Sequence, residues 1–376
     1  MHRVVIRSTG LYVPPNVVSN EELVATFNAY VRQQNAQNAV AIARGECAPL
    51  AESSVEFIEK ASGIKQRYVI DKTGVLDIQR MRPKLQSRPD TQLSIMAEIA
   101  LLAAQEALQR AGRQADQVDA VICAASSMQR PYPAMAVEIQ HALGIKGYAF
   151  DVNVACSSAT FAIELAANAV KTGSARAVLV VNPEITSGHL AWKDRDCHFI
   201  FGDVCTAILV ERLEDEAQVG AGGGFEILGA RLFTSFSNTI RNNAGFLSHC
   251  EDRHPEERDQ LFYQEGRKVF REVCPLAVEH ISAHLAAHGV KPTEVRRYWL
   301  HQANLAMNQL ISRKLLGRDA TADEAPVILD EFANTASAGS VIAFHRYHED
   351  IKSGEIGMLC SFGAGYSIGS IALRCL

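Results

Sequence analysis

A thiol, an imidazole and a carboxamide stand at comparable places in this 376-residue chain. Cys156 lies in the stretch 151–172, read DVNVACSSATFAIELAANAVKT, between an apolar segment and an alanine-rich run unbroken by Gly or Pro until Gly173. The run is long enough for about four to five helical turns, which puts the thiol at a strand-to-helix junction. Free N–H groups at a helix start carry partial positive charge, so the position predicts a lowered pKa and a nucleophilic sulfur. A cysteine judged alone would equally well be a small buried hydrophobe. His301 closes the apolar segment RYWLHQ, at the strand end where a β/α fold presents its chemistry. Asn334, in FANTASAG (332–339), precedes a second helical run. Alone, the histidine would be a packed or surface residue and the asparagine a cap. At matched strand ends the three together point to nucleophilic catalysis by Cys156 with two polar helpers.

The elements that must hold these residues occur twice. ALQRAG (107–112), a polar link and DAVICAAS (119–126) correspond to HLAAHG (284–289), a polar link and RYWLHQAN (297–304). The helix after Cys156 closes with KTGSARAVLVV (171–181), and the helix after Thr335 with KSGEIGMLCSF (352–362). FGDVCTAILVERL (201–213) is mirrored by FGAGYSIGSIALRCL (362–376). Matches in the same order imply a duplicated β/α unit, with halves at 1–213 and 225–376 joined by the acidic, glycine-rich linker 214–224. Strands that alternate with long helices and are apolar on both faces imply an α/β fold with largely parallel sheets between helical layers. Ser19 and Glu22 have the spacing of a capping box, and the helix 93–111 stops at Gly112. The stretches 33–54 and 80–88, the second of them basic, read as insertions.

A net charge of −5 and a pI near 6.2 argue against nucleic-acid binding by bulk charge. The first residues, MHRVVIRSTG, read as a strand and not as a signal peptide, and no stretch is long and apolar enough to span a bilayer. Nine cysteines, with no C-x-x-C pair, fit reduced thiols in a cytoplasm better than a disulfide frame or a zinc site.

The motifs DVNVACSS (151–158), LHQANL (300–305), FANTASAGS (332–340) and SFGAGYSIGS (361–370) together resemble the β-ketoacyl-[acyl-carrier-protein] synthase III family of thiolase-fold condensing enzymes. The similarity extends over SGIKQRYV (62–69), IQHALGIKGYAFDV (139–152) and FGDV (201–204). The resemblance implies an αβαβα thiolase fold. It also implies a decarboxylative Claisen condensation of an acyl-CoA with malonyl-acyl carrier protein through an acyl-Cys156 intermediate. Backbone N–H groups of Cys156 and Gly365 would form the oxyanion hole, His301 and Asn334 would donate to the malonyl thioester carbonyl, and no metal or redox cofactor is required. Cys360 lies near the place of a second thiolase cysteine, but Ser361 occupies that place, which favours condensation over thiolysis.

Other roles carry over residue by residue. Arg195, Phe57, Tyr132 and Asn304 match coenzyme A and acyl contacts, Tyr132 reaching into a partner subunit of a homodimer. Ala61 replaces an arginine of the adenine stack, so the clamp is weakened or rebuilt. Arg271, Arg313 and Lys314 match basic carrier-protein docking positions, while Ala306 replaces another. The insertions fall close to the expected mouth of the acyl tunnel, which predicts a larger pocket and a medium-chain starter. His280, His284 and His288, at helical spacing, are expected on a solvent-facing helix, as are His345 and His348 on the surface. The competing readings are an acyltransferase or thioester hydrolase using the same acyl-cysteine, and a non-catalytic scaffold.

Overall fold

The computed structural model describes residues 1–213, 224–252, 254 and 257–376, so the linker expected at 214–224 falls, except for Gly224, outside the described residues. Strand β1 (Val4–Tyr12) leads to α1 (Asn20–Gln37). Ser19 Oγ accepts from the Glu22 N–H at 3.2 Å and Glu22 accepts from the Ser19 N–H at 3.1 Å, completing the expected capping box. Helix α2 (Ile95–Ala111) starts at the Ser94 cap and ends at Gly112, with φ 63°. There follow β2 (Ala120–Ala124), α3 (Met135–Leu143), β3 (Tyr148–Val152), α4 (Ser158–Thr172), β4 (Ala177–Glu184) and β5 (Val204–Arg212). The second half comprises β6 (Phe225–Ser237), α5 (Gly266–Ala287), β7 (Val295–Leu300), α6 (Leu305–Leu316), α7 (Gly339–Arg346), β8 (Ile356–Gly363) and β9 (Gly365–Cys375).

The large sheet runs β7-β8-β9-β6-β1-β5-β4-β2-β3. Its two parts meet only through Val5 opposite Glu226 and Ile6 opposite Phe225. Between the parts lies the central core, where α4 (Ala159, Ala162, Ile163, Ala166) and α7 (Val341, Ile342, Phe344) pack on Ile122, Val180 and Ile208 on one side and on Leu359 and Ile371 on the other. Helices α2 and α3 cover the outer face of β2, β4 and β5, and α5 and α6 cover that of β7, β8 and β9. This is the αβαβα layering expected.

Two expectations are corrected. The sheet is mixed and mostly antiparallel: only β2–β3, β2–β4 and β7–β8 run parallel, against five antiparallel pairings. A strand buried on both faces reads as continuously apolar whichever way its neighbours run, so the pattern reported the layers and not the strand direction. The histidines of α5 do not face solvent either. His280 and His284 are buried, Nε2 of His280 lying 3.0 Å from the Arg231 carbonyl and Nδ1 of His284 2.7 Å from Ser370 Oγ. His345 on α7 is likewise mostly buried, with Nδ1 2.8 Å from Thr9 Oγ1. Helical spacing gave the shared face; the sheet beneath it decided which way that face looks.

Candidate active site

Cys156 is held by a turn that the local sequence builds. After β3, Asn153 Oδ1 accepts from the Ala155 N–H at 3.1 Å, and Ser158 Oγ accepts from the Val154 N–H at 2.8 Å while donating to the Ala155 carbonyl at 2.7 Å. Ala155 takes φ 46°, a left-handed conformation rare for a residue with a Cβ, and the 3₁₀ turn Ala155–Ser157 runs into α4. The second half repeats the device. Asn334 Oδ1 accepts from the Ala336 N–H at 2.9 Å, Ala336 takes φ 47°, and the 3₁₀ turn Ala336–Ala338 runs into α7. The two sequences therefore superpose as Asn-Val-Ala-Cys on Asn-Thr-Ala-Ser, and Ser337 is the counterpart of Cys156.

Because its oxygen is committed to Ala336, the Asn334 side chain has its amide nitrogen left as a donor. Its backbone is fixed as well: the Asn334 N–H donates to the Ile200 carbonyl at 2.9 Å and its carbonyl accepts from Gly202 at 3.1 Å. Gly202 is required there, since a Cβ would lie 2.4 Å from the Phe332 carbonyl oxygen. His301 follows β7, its N–H donating to the Cys360 carbonyl at 2.8 Å, and its ring meets the Phe362 ring edge-on at 5.3 Å. Nδ1 of His301 is sealed from solvent and has no partner. Burial drives the imidazole down to about 4, so the ring is neutral at physiological pH.

Cys156, His301 and Asn334 line one cavity of about 940 Å³, together with Phe57, Phe201 and Asn304. Gly363 passes against Cys156: a Cβ on it would stand 2.5 Å from Cys156 Cβ and 2.8 Å from the sulfur. Two expectations about the sulfur change. The helix start predicted a lowered pKa, but burial pushes the thiol up to about 12 and the buried Glu184 carboxylate adds to the push; the N–H groups of Ala364 and of Cys156 itself act against them and do not prevail. The amide that reaches the sulfur from the glycine-rich turn is thus that of Ala364, whereas Gly365, the residue expected, pairs with Ser237 of β6. Adjacent N–H groups of an extended segment point opposite ways, so a shift of one residue selects the other direction.

The remaining expected contacts divide. The Arg195 guanidinium lies 3.8 Å over the Phe57 ring, with Nε donating to the Glu52 carbonyl at 2.7 Å. Asn304 caps α6 through the Ala306 N–H at 2.9 Å and donates to the Ala61 carbonyl at 2.6 Å. Tyr132 is 77% exposed. Arg271 and Lys314 are exposed, while Arg313 pairs with Asp319 at 2.5 Å. Cys360 packs in the outer core and Ser361 bonds Ser340 at 3.0 Å; neither lines the cavity. Of the insertions, 33–54 reaches Arg195 through Glu52, and 85–88 lines a second cavity of about 1270 Å³ that also includes Asn153 and His189. Sequence reading missed Ala364, Ser337 and Glu184; the Asn-x-Ala repeat was the signal that could have found Ser337.

A cysteine at the first turn of one central helix, met by an imidazole and a carboxamide from the other half, defines a thiolase-fold acyltransferase. Residues 150–224 and 285–375 match the family profiles of 3-oxoacyl-[acyl-carrier-protein] synthase III and of its C-terminal part. The chain is 60% identical over 349 residues to a beta-ketodecanoyl-[acyl-carrier-protein] synthase of Pseudomonas aeruginosa, covering 93% of this chain and 99% of that one. It is 30% identical to a beta-ketoacyl-[acyl-carrier-protein] synthase III of Bartonella bacilliformis over 89% and 94% of the two chains. The crystal structure of 3-oxoacyl-[acyl-carrier-protein] synthase III from Aquifex aeolicus superposes with a TM-score of 0.76 at 26% identity, over 99% of each chain. The chain belongs to the 3-oxoacyl-[acyl-carrier-protein] synthase III family, whose members are condensing acyltransferases of fatty acid biosynthesis. Among the described residues no helix is long and apolar enough to cross a membrane.

Proposed function

We propose that the protein condenses a medium-chain acyl-CoA with malonyl-acyl carrier protein, using Cys156 as nucleophile and His301 and Asn334 as the donors to the malonyl thioester. One observation carries the reading: thiol, imidazole and amide line a single cavity, where the neutral imidazole in its Nε2–H tautomer and the Asn334 amide nitrogen, whose oxygen is already committed, supply two donors for a carbonyl. The Cys156 sulfur attacks the acyl-CoA carbonyl, and its proton leaves with the coenzyme A thiol. The Ala364 and Cys156 N–H groups, both of which favour the thiolate, are read as the donors to the oxyanion. Malonyl thioester then loses carbon dioxide; its carbanion, held as an enolate by His301 Nε2–H and the Asn334 amide, attacks the acyl carbonyl and expels the Cys156 thiolate, which takes up a proton. The condensation uses both helpers, which favours it over hydrolysis or plain acyl transfer.

Support for a medium chain comes from the relative named for a ketodecanoyl product, which is an eight-carbon acyl group extended by two carbons, and from the second cavity that the 80–88 insertion helps to line. Arg195 and Phe57 are read as the adenine-side contacts, Asn304 as a wall of the entrance, and Arg271, Arg313 and Lys314 as the docking face for the acidic carrier. The chain is read as two related halves, 1–213 and 225–376. A homodimer suits the surface: β3 is the sheet edge, Tyr148 and Phe150 stack on it with ring centroids 6.4 Å apart and are more than a third exposed, and Tyr132 is exposed as well. Nine unpaired cysteines suit the cytoplasm. Intact-mass measurement of Cys156 acylation by acetyl-, octanoyl- and palmitoyl-CoA, followed by malonyl-carrier addition, tests the reading. Octanoyl should acylate fastest and give ketodecanoyl product; preference for acetyl, or acylation with no condensation, would overturn it.

A further inference from the structure

Glu184, the last residue of β4, is a buried carboxylate that no step above employs. Its oxygens accept from four donor groups, and these come from both halves of the duplication. Ser126 donates its N–H at 2.9 Å and its hydroxyl at 2.6 Å; Ser337 donates its N–H at 3.1 Å and its hydroxyl at 2.5 Å. Each serine belongs to, or is tied to, one of the two Asn-x-Ala turns. The Ser126 carbonyl accepts from Asn153 Nδ2 at 3.3 Å, and Asn153 Oδ1 sets the left-handed Ala155 immediately before the nucleophile. Ser337 directly follows the left-handed Ala336 that Asn334 sets.

We propose that Glu184 is a positioning residue for the condensation: a single carboxylate clamps the two strand-to-helix turns, fixes the Cys156 thiol relative to the Asn334 carboxamide, and places its charge where it governs the reactivity of that thiol. The titratable groups facing Glu184 are Cys156, Cys123 of β2 and Cys205 of β5; burial drives both of the latter up, so they remain neutral thiols. Among the described residues no Lys or Arg forms an ion pair with it. Burial drives Glu184 itself up to about 7, with the serine donors opposing, so its charge develops across neutral pH and pushes the Cys156 thiol toward its protonated form.

Geometry and charge act in opposite directions on two readouts, which separates this role from a merely structural one. Glu184→Gln removes the charge and turns one acceptor into a donor facing donors. Iodoacetamide alkylation of Cys156, followed by mass spectrometry from pH 7 to 10, should then quicken about tenfold at pH 8, the equivalent of a one-unit fall in thiol pKa. Condensation should slow by at least about tenfold, because the Asn334 turn loses its anchor. Ser337→Ala keeps the carboxylate but removes one donor, so at pH 9 to 10, where Glu184 is ionised with or without that donor, its alkylation rate should match the wild type while condensation slows. The alkylation result stands apart from the condensation reading, which the proposal otherwise rests on: a shifted profile with no condensation in the wild-type enzyme rejects that reading and not the clamp. Alkylation of Glu184→Gln that matches or lags the wild type, or full condensation activity in Ser337→Ala, overturns the proposal.

Discussion

Replacing His301 by alanine should separate the two half-reactions. The imidazole is one of two donors assigned to the malonyl carbonyl, and it works inside a cavity from which its Nδ1 is sealed and unpartnered. Losing one preorganised donor of this kind costs about 10²–10³ in rate, or about 3–4 kcal/mol of transition-state stabilisation. Condensation should fall by that factor. Acylation should change by less than about threefold, since the N–H groups at the sulfur come from Ala364 and Cys156. Stability should hardly move: the variant loses the edge contact with Phe362 but also removes a buried nitrogen with no hydrogen bond, whose burial costs about 1–3 kcal/mol. The pH profile adds a second check. The group sits near 4, well below the ordinary histidine value, so it stays neutral above about pH 5 and contributes no inflection near 6.5. An inflection from Glu184, near 7, should persist in His301→Ala. The assay is rapid-quench release of coenzyme A from octanoyl-CoA, measured beside carbon dioxide release from malonyl-carrier. Equal losses in both half-reactions, or a titration near 6.5 that vanishes in the variant, would refute the assignment.

Gly363→Ala should abolish acylation, because its Cβ would lie 2.5 Å from Cys156 Cβ and 2.8 Å from the sulfur; intact mass after incubation with octanoyl-CoA reads this directly, and an acylated variant would disprove the close approach. Stability should fall as pH drops from about 6.5 toward 4. Burial holds His189, His198, His284, His301 and His345 near 4, so the unfolded chain binds protons in that window that the folded chain refuses. Glu184, near 7, and Asp203, near 6, act in the opposite sense, their folded forms keeping protons that the unfolded chain has lost. Five groups against two leaves about three protons near pH 5, a slope of about 4 kcal/mol per pH unit. Urea unfolding at pH 7.5, 6.0 and 5.0 checks the sign, and a midpoint that rises on acidification contradicts it.

That Cys156, His301 and Asn334 meet in one cavity was legible in the chain because each belongs to a local device: an apolar segment, a short polar turn and a helix start, written twice in the same order. Local order also gave the layers, since β2 and β8 are apolar on both faces and must be covered on both. What the chain did not disclose depends on groups far apart in sequence. Strand direction rests on which segments return beside one another, and β9 turns straight back along β8 after Ala364 alone. The orientation of His280 and His284 rests on β6 and β9 lying beneath α5. The sign of the Cys156 shift is of the same kind. A helix start contributes a fraction of a unit charge, which the sequence shows. The opposing desolvation and the Glu184 carboxylate come from a chamber that exists only after both halves close. A site of this construction gains its nucleophile's geometry from local turns and the nucleophile's protonation state from assembly. A thiol that burial keeps neutral resists oxidation and alkylation, and a thioester brought to it offers a carbonyl carbon to attack.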